Sequence, residues 1–248
     1  MMSSKVEELT QNSKFFMDAL SIPTWIIHVS SVVEWIVAIW LIWTYGEVSR
    51  NRAWWGLSIG MLPALVSAMC ACTWHFFNNS ASLEWLVTLQ AAMTVVGNFT
   101  LMLAGWWIWR SSKQLAPHVN QTMLTLLPLA FIPLPAALGP YLSKESLFAL
   151  SLFPYLGFLW FLTRSKQAPR LALIGFYMTL VFVAVTIPAG IYAKVAYDES
   201  LANIDWLHGS AEAFLTLSNI LVVLGFRQAI LERRQAQLGF SEDAQARM

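Results

Sequence analysis

Charge is scarce in this chain. Asp, Glu, Lys and Arg make up 12% of its 248 residues, against about a quarter in an ordinary soluble domain. Neither sign dominates. The net charge is +1, so the basic stripe that marks a nucleic-acid-binding surface is missing. There are two cysteines, Cys70 and Cys72. Side chains two apart on a helix diverge by about 200°, which argues against a disulfide between them. The recognised catalytic strings are absent too: there is no H-E-x-x-H, P-loop, G-x-S-x-G or dinucleotide fingerprint. A soluble enzyme and a nucleic-acid partner are both set aside.

What is present is apolar sequence. Hydrophobic residues reach 57%, and the mean hydropathy is +0.57. The few charges fall between long apolar runs, the pattern of a polytopic membrane protein. Stretches of roughly 20 apolar residues predict spans at Ile22–Tyr45, Ala53–His75, Glu84–Trp109, Gln121–Tyr141, Glu145–Thr163, Arg170–Ala193 and Asp205–Arg227. The fourth carries Pro128, Pro133, Pro135 and Pro140, which remove backbone donors and predict a kinked or partly unwound segment. Met1–Asp18 is polar, and the first span is too long and too late for a cleaved signal peptide. The fold class expected is all-α, with seven membrane helices.

Loop charges set an orientation. Arg50 and Arg52 follow the first span, Arg110 and Lys113 the third, Arg164 and Lys166 the fifth, and Arg227, Arg233 and Arg234 the seventh. Loops after the even-numbered spans are poor in Lys and Arg. The positive-inside rule then puts the N-terminus outside or in a lumen and the C-terminus in the cytoplasm or stroma. Every loop agrees only if the Pro-rich fourth segment crosses. Tryptophan repeats the message: Trp25, Trp74, Trp85 and Trp206 fall at outer helix ends, and Trp43, Trp54, Trp55, Trp107 and Trp109 at inner ends. These read as two interfacial belts.

One segment occurs twice. Leu83-Glu84-Trp85-Leu86, with Ala92, Asn98 and Leu103, returns 121 positions later as Ile204-Asp205-Trp206-Leu207, with Ala213, Asn219 and Leu224. Trp40 and Trp160 align at an offset of 120. The implied layout is 3+1+3: a tail (1–21), a three-helix unit (22–110), a loop and linker helix (111–144), a second unit (145–228) and a polar C-terminal tail (229–248). Such parallel repeats are related by an axis along the membrane normal.

Ionisable and polar groups inside spans are costly and mark candidate sites. His28, Ser31 and Glu34 share one arc of the first span, with Glu34 near mid-membrane. His208, Glu212 and Asn219 share a face of the seventh. Gln90, Thr94 and Asn98 form an i, i+4, i+8 stripe on the third. His28, His75 and His208 fall at one depth in the outer leaflet. Neutral imidazoles there could serve a metal, a haem or a chlorophyll magnesium, although none is required. The plainer alternative for every one of these residues is interhelical hydrogen bonding, or an interfacial position for His75. Cys72 and His75, three apart, are too few ligands for a site.

Particular strings carry a resemblance. Met17–Arg110, with Ser21-Ile22-Pro23-Thr24-Trp25-Ile26-Ile27-His28 and Trp74-His75-Phe76-Phe77-Asn78-Asn79, resembles a family of small membrane proteins of cyanobacteria and plastids named after a hypothetical chloroplast reading frame. Glu145–Ile230, with Asp205-Trp206-Leu207-His208-Gly209, resembles a second membrane module of the same organisms. The resemblance implies a photosynthetic lineage and a thylakoid or plasma membrane, and it brings no ligand or catalytic residues.

Three functions stay open. One is a non-enzymatic accessory protein that organises photosynthetic membranes or assembles their complexes, with a pigment or haem at the histidines. Another is a transporter of a small solute or ion, with Glu34, Gln90, Asn98, Glu212 and Asn219 lining a cavity between repeats and Pro63, Pro154 and Pro188 breaking helices. The third is an intramembrane enzyme acting on a lipid or quinone. The bilayer is the one partner that the residues themselves require; photosynthetic complexes come with the resemblance, and oligomeric state is not encoded in any motif.

Overall fold

The computed structural model describes residues 20–113 and 143–245. The described residues are helical throughout, with no strand among them. The helices are α1 (Ile22–Val48), α2 (Ala53–Gly60), α3 (Leu62–Phe76), α4 (Trp85–Lys113), α5 (Lys144–Ser165), α6 (Arg170–Tyr197) and α7 (Asp205–Gln245), with 3₁₀ turns at Ala81–Leu83 and Leu201–Asn203. With α2 and α3 taken together as one stretch, six segments among the described residues are long and apolar enough to span a bilayer. The expected fourth span at 121–141 lies outside the described residues.

Proline explains one irregularity. Pro63 stands in the first turn of α3 and cannot donate to the ladder, so the second span kinks at Met61. The Met61 carbonyl at that kink accepts from Trp35 Nε1 on α1, 3.1 Å away. Pro154 and Pro188 were expected to break their helices, but each sits inside a continuous one. α7 also runs 18 residues past Arg227, so part of the expected polar tail is helix.

Packing pairs the helices in two ways. α3 against α4 and α6 against α7 are antiparallel, and glycine lets the backbones close. A Cβ on Gly97 would lie 3.0 Å from Ala64 N, and one on Gly175 2.7 Å from Val222 N. α1 against α7 and α4 against α5 are parallel. Ser21 with Asp205, His28 with His208, Ser31 with Thr216 and Tyr45 with Phe226 run in register down the first pair. Asn98 with Ser151, Gly105 with Phe158 and Trp109 with Phe161 do so down the second. Hence α5 begins at the end of the bundle where α4 begins, not where it finishes.

Each end is tied by an asparagine. At one end Asn51 Nδ2 donates to Ser111 Oγ (3.2 Å) and Gln167 Oε1 (2.7 Å), joining the turn after α1 to the last turn of α4 and to the turn after α5. Basic side chains crowd this end and lie over indoles: Arg52 over Trp55, Arg110 over Trp106, Lys113 over Trp109 and Arg164 over Trp160. Cation–π contact and snorkelling both suit a headgroup layer. At the other end Asn79 Nδ2 donates to Asn203 Oδ1 at 2.9 Å. Beyond it, Lys194 Nζ sits 2.6 Å from Asp198 and holds that carboxyl below the usual carboxylate range.

The core lies toward the basic end. Tyr45, Trp54 and Phe226 meet edge to face, with Ile42, Leu57, Phe158 and Phe176 around them. Trp54 is therefore a core residue and not part of the interfacial belt expected for it; it is 1% exposed. The outer surface is apolar: Val195, Ile22, Phe153 and Trp40 all point outward, as a lipid-facing surface requires.

Candidate functional site: a three-histidine cluster

Opposite the aromatic core, three helices bring imidazoles together. His28 lies on the second turn of α1, His75 on the last turn of α3 and His208 on the first turn of α7. All three are buried, and one ring nitrogen from each lies within 4.8 Å of the others. Ring centroids are 5.0 Å apart for His28–His208 and 5.1 Å for the other two pairs. His28 Nε2 and His208 Nε2 are 3.2 Å apart.

Local sequence fixes two of the rings. His28 Nδ1 donates to the Thr24 carbonyl at 3.0 Å, one turn back on its own helix. His75 Nδ1 donates to Asn79 Oδ1 at 2.8 Å. Asn78 and Asn79 both adopt left-handed backbone (φ 53° and 54°), a conformation asparagine tolerates better than most residues. That double turn ends α3 and swings the Asn79 side chain back beneath His75. The Asn79 amide nitrogen is occupied by Asn203, so the oxygen is the atom left to face the ring. With Nδ1 engaged in both rings, Nε2 is the atom that His28 and His75 retain for a ligand.

The helices that carry the cluster are closely joined. Asp205 Oδ1 accepts from Ser21 N at 2.9 Å, linking the amino-terminal ends of α7 and α1. Asp205 is also near enough to His28 to act on it electrostatically. One turn below His208, Glu212 is partly buried. Further down the same seam the Ser31 and Thr216 hydroxyls meet at 3.0 Å. Asn219 there faces Glu34, whose Oε2 is buried without a hydrogen-bond partner.

The stripe on the third span is distributed elsewhere. Thr94 bonds Ser67 of α3 at 2.8 Å, and Asn98 Nδ2 donates to the Ser151 carbonyl of α5 at 2.9 Å. Gln90 contributes its backbone carbonyl, which accepts from both Ser67 and Thr94. These residues lie on the α3/α4 and α4/α5 contacts, apart from the α1/α7 seam that holds Glu34 and Asn219. Sequence reasoning missed Thr24, Asn79 and Asp205. The available signal was the i, i+4 spacing of Thr24 with His28 and of His75 with Asn79.

A bundle of apolar helices with its polar groups turned inward defines a multi-pass helical membrane protein. Residues 19–107 match a family described as protein of unknown function DUF2499, and residues 144–231 match a second, DUF3593. A Ycf49-like protein of Synechocystis sp. is 63% identical over 98 residues, covering 94% of that protein and 40% of this chain. The ycf49 protein of Cyanophora paradoxa is 38% identical over 85 residues, covering 83% of its length and 34% of this chain. The chain belongs to the Ycf49-like family, extended by a second membrane module. No solved structure matches.

Proposed function

We propose that this protein is an integral accessory protein of a photosynthetic membrane, thylakoid or plasma, that organises the bilayer or helps to assemble and hold its complexes. The observation that carries this reading is how the intramembrane polar groups are used. Asn98, Thr94, Ser67, Ser31, Thr216, Thr100 and Ser218 all bond across to a neighbouring helix, which is the work of a rigid scaffold. Relatives from a cyanobacterium and from Cyanophora supply the setting.

The architecture we propose is a pair of three-helix repeats. Exchanging the two units carries the parallel α5/α4 contact, with Asn98 on Ser151, onto the parallel α1/α7 contact, with Asn219 at Glu34 and Thr216 on Ser31. The same parallel pairing leaves Lys113 and Ser143 at opposite ends of the bundle, which supports a further passage of the chain between them. The N-terminus outside and the basic end inside fit the cations stacked on Trp55, Trp106, Trp109 and Trp160.

One observation favours a transporter as second reading, namely the unpartnered Glu34 Oε2 within a span. Purification of a tagged chain from separated thylakoid and plasma membranes distinguishes the two. The scaffold reading expects co-purifying photosynthetic subunits and reduced accumulation of those complexes on deletion. Normal complexes together with lost uptake of one solute would overturn it.

A further inference from the structure

We infer that His28, His75 and His208 form a binding site for a single late first-row divalent cation, of the zinc class, that clamps the two membrane modules together. The inference does not depend on which complex or membrane the protein serves.

Ligand chemistry comes first. Three neutral imidazoles from three helices make a borderline-soft donor set suited to zinc, copper or nickel and poor for magnesium or calcium. Spacing comes second. Two nitrogens about 2.1 Å from a tetrahedral metal lie about 3.4 Å apart, and His28 and His208 Nε2 are 3.2 Å apart. A macrocycle between two axial imidazoles would need those nitrogens about 4 Å apart on opposite faces. It would also need a slot that three rings with centroids 5.0–5.1 Å from one another do not leave. The geometry therefore suits a single ion better than a haem held between two of these histidines.

Outer partners complete the argument. Metal-bound histidines ordinarily donate the second ring N–H to a carbonyl or side-chain oxygen, which sets the tautomer. Thr24 O and Asn79 Oδ1 do this for His28 and His75. Without a cation the His28–His208 contact is an ordinary hydrogen bond, with His208 Nε2–H donating to His28 Nε2 at 3.2 Å. A metal would take the place of that proton and engage a nitrogen lone pair from each of the three rings. Three protein ligands leave the fourth position to water, the pattern of an open site.

The ligands divide between the modules. His28 and His75 belong to the segment matching DUF2499, and His208 to the segment matching DUF3593. A cation held there ties α7 to α1 and α3 at the end of the bundle remote from the aromatic core. Because only the folded arrangement presents all three nitrogens, the metal stabilises it by mass action.

The test uses the full chain in detergent, stripped by chelator and titrated with zinc. One zinc per chain and a rise in melting temperature are expected, and cobalt(II) in its place should give visible d–d absorption. His75→Gln and His208→Gln should each lose stoichiometric binding and the thermal shift. Asn79→Ala, with all three ligands intact, should weaken binding about 10- to 100-fold. His75→Cys, which restores a zinc ligand, should recover part of the affinity, separating ligation from folding. No thermal shift in the wild-type chain, or equal zinc binding by wild type and His208→Gln, would overturn the inference.

Discussion

Gly209 of α7 rests directly on Thr24 of α1: a Cβ at 209 would lie 2.5 Å from Thr24 Oγ1 and 3.3 Å from its Cβ. This contact lies one turn before His28 on α1 and one residue after His208 on α7, so it sets how closely those rings approach. Gly209→Ala is expected to spread the amino-terminal ends of α1 and α7. Its readout is a lowered melting temperature accompanied by weakened zinc binding.

Glycine at 225 meets backbone instead of a side chain, since its Cβ would collide with Ala172 N on α6. Backbone cannot rotate away. Overpacking of this kind costs roughly 1–3 kcal/mol. Gly225→Val should therefore lower thermal stability more than Gly190→Val, where nothing lies within 4 Å; paired melts in one detergent check the order.

Asn51, in the turn after α1, reaches the last turn of α4 and the segment after α5 through its Nδ2 and accepts from Ala53 N through Oδ1 at 3.0 Å. Asn51→Ala removes all three bonds. A loss of about 1–3 kcal/mol is expected from the partners left unmade, seen as earlier unfolding and faster proteolysis at the basic end.

Asn98→Ala and Asn219→Ala remove groups from the two parallel seams. Interhelical hydrogen bonds in membrane bundles average about 0.6 kcal/mol, so Asn98→Ala should be mild in steric-trapping or thermal measurements. Glu34→Gln keeps a partner for Asn219 and should fold normally. Under the scaffold reading it also leaves photosynthetic complexes at wild-type levels, whereas loss of a solute flux would speak for transport.

Orientation is checked by labelling. In a chain with Cys70 and Cys72 replaced by serine, Ser80→Cys and Ser143→Cys should react with an impermeant maleimide from one side of the membrane. Ser112→Cys should react from the other. Labelling of positions 80 and 143 from opposite sides would remove the further crossing.

Much of the fold was legible because bilayer thickness imposes a length that no soluble fold requires. Span boundaries at Ile22, Ala53, Arg170 and Asp205 coincide with helix starts for that reason. Trp54 was misread because an indole in an apolar core and one at an interface occupy the same kind of sequence; only the neighbours Tyr45 and Phe226 separate them. Pro154 and Pro188 were misread because helices in a bundle absorb a missing donor. At the site, equal depth for the three histidines could be counted from helix ends. Their convergence could not, since it depends on α7 docking against α1 across 180 residues of chain. Asn79 escaped notice because its role comes from a left-handed turn, which composition does not announce.

The α1/α7 and α4/α5 seams also bear on chains that end after the first module. Such a chain would show lipid two long faces, one carrying His28, Ser31 and Glu34, the other Asn98 and Gly105. Hydrocarbon offers those groups no hydrogen bond. A free-standing first module is therefore expected to need other apolar helices with polar partners in place of α5 and α7.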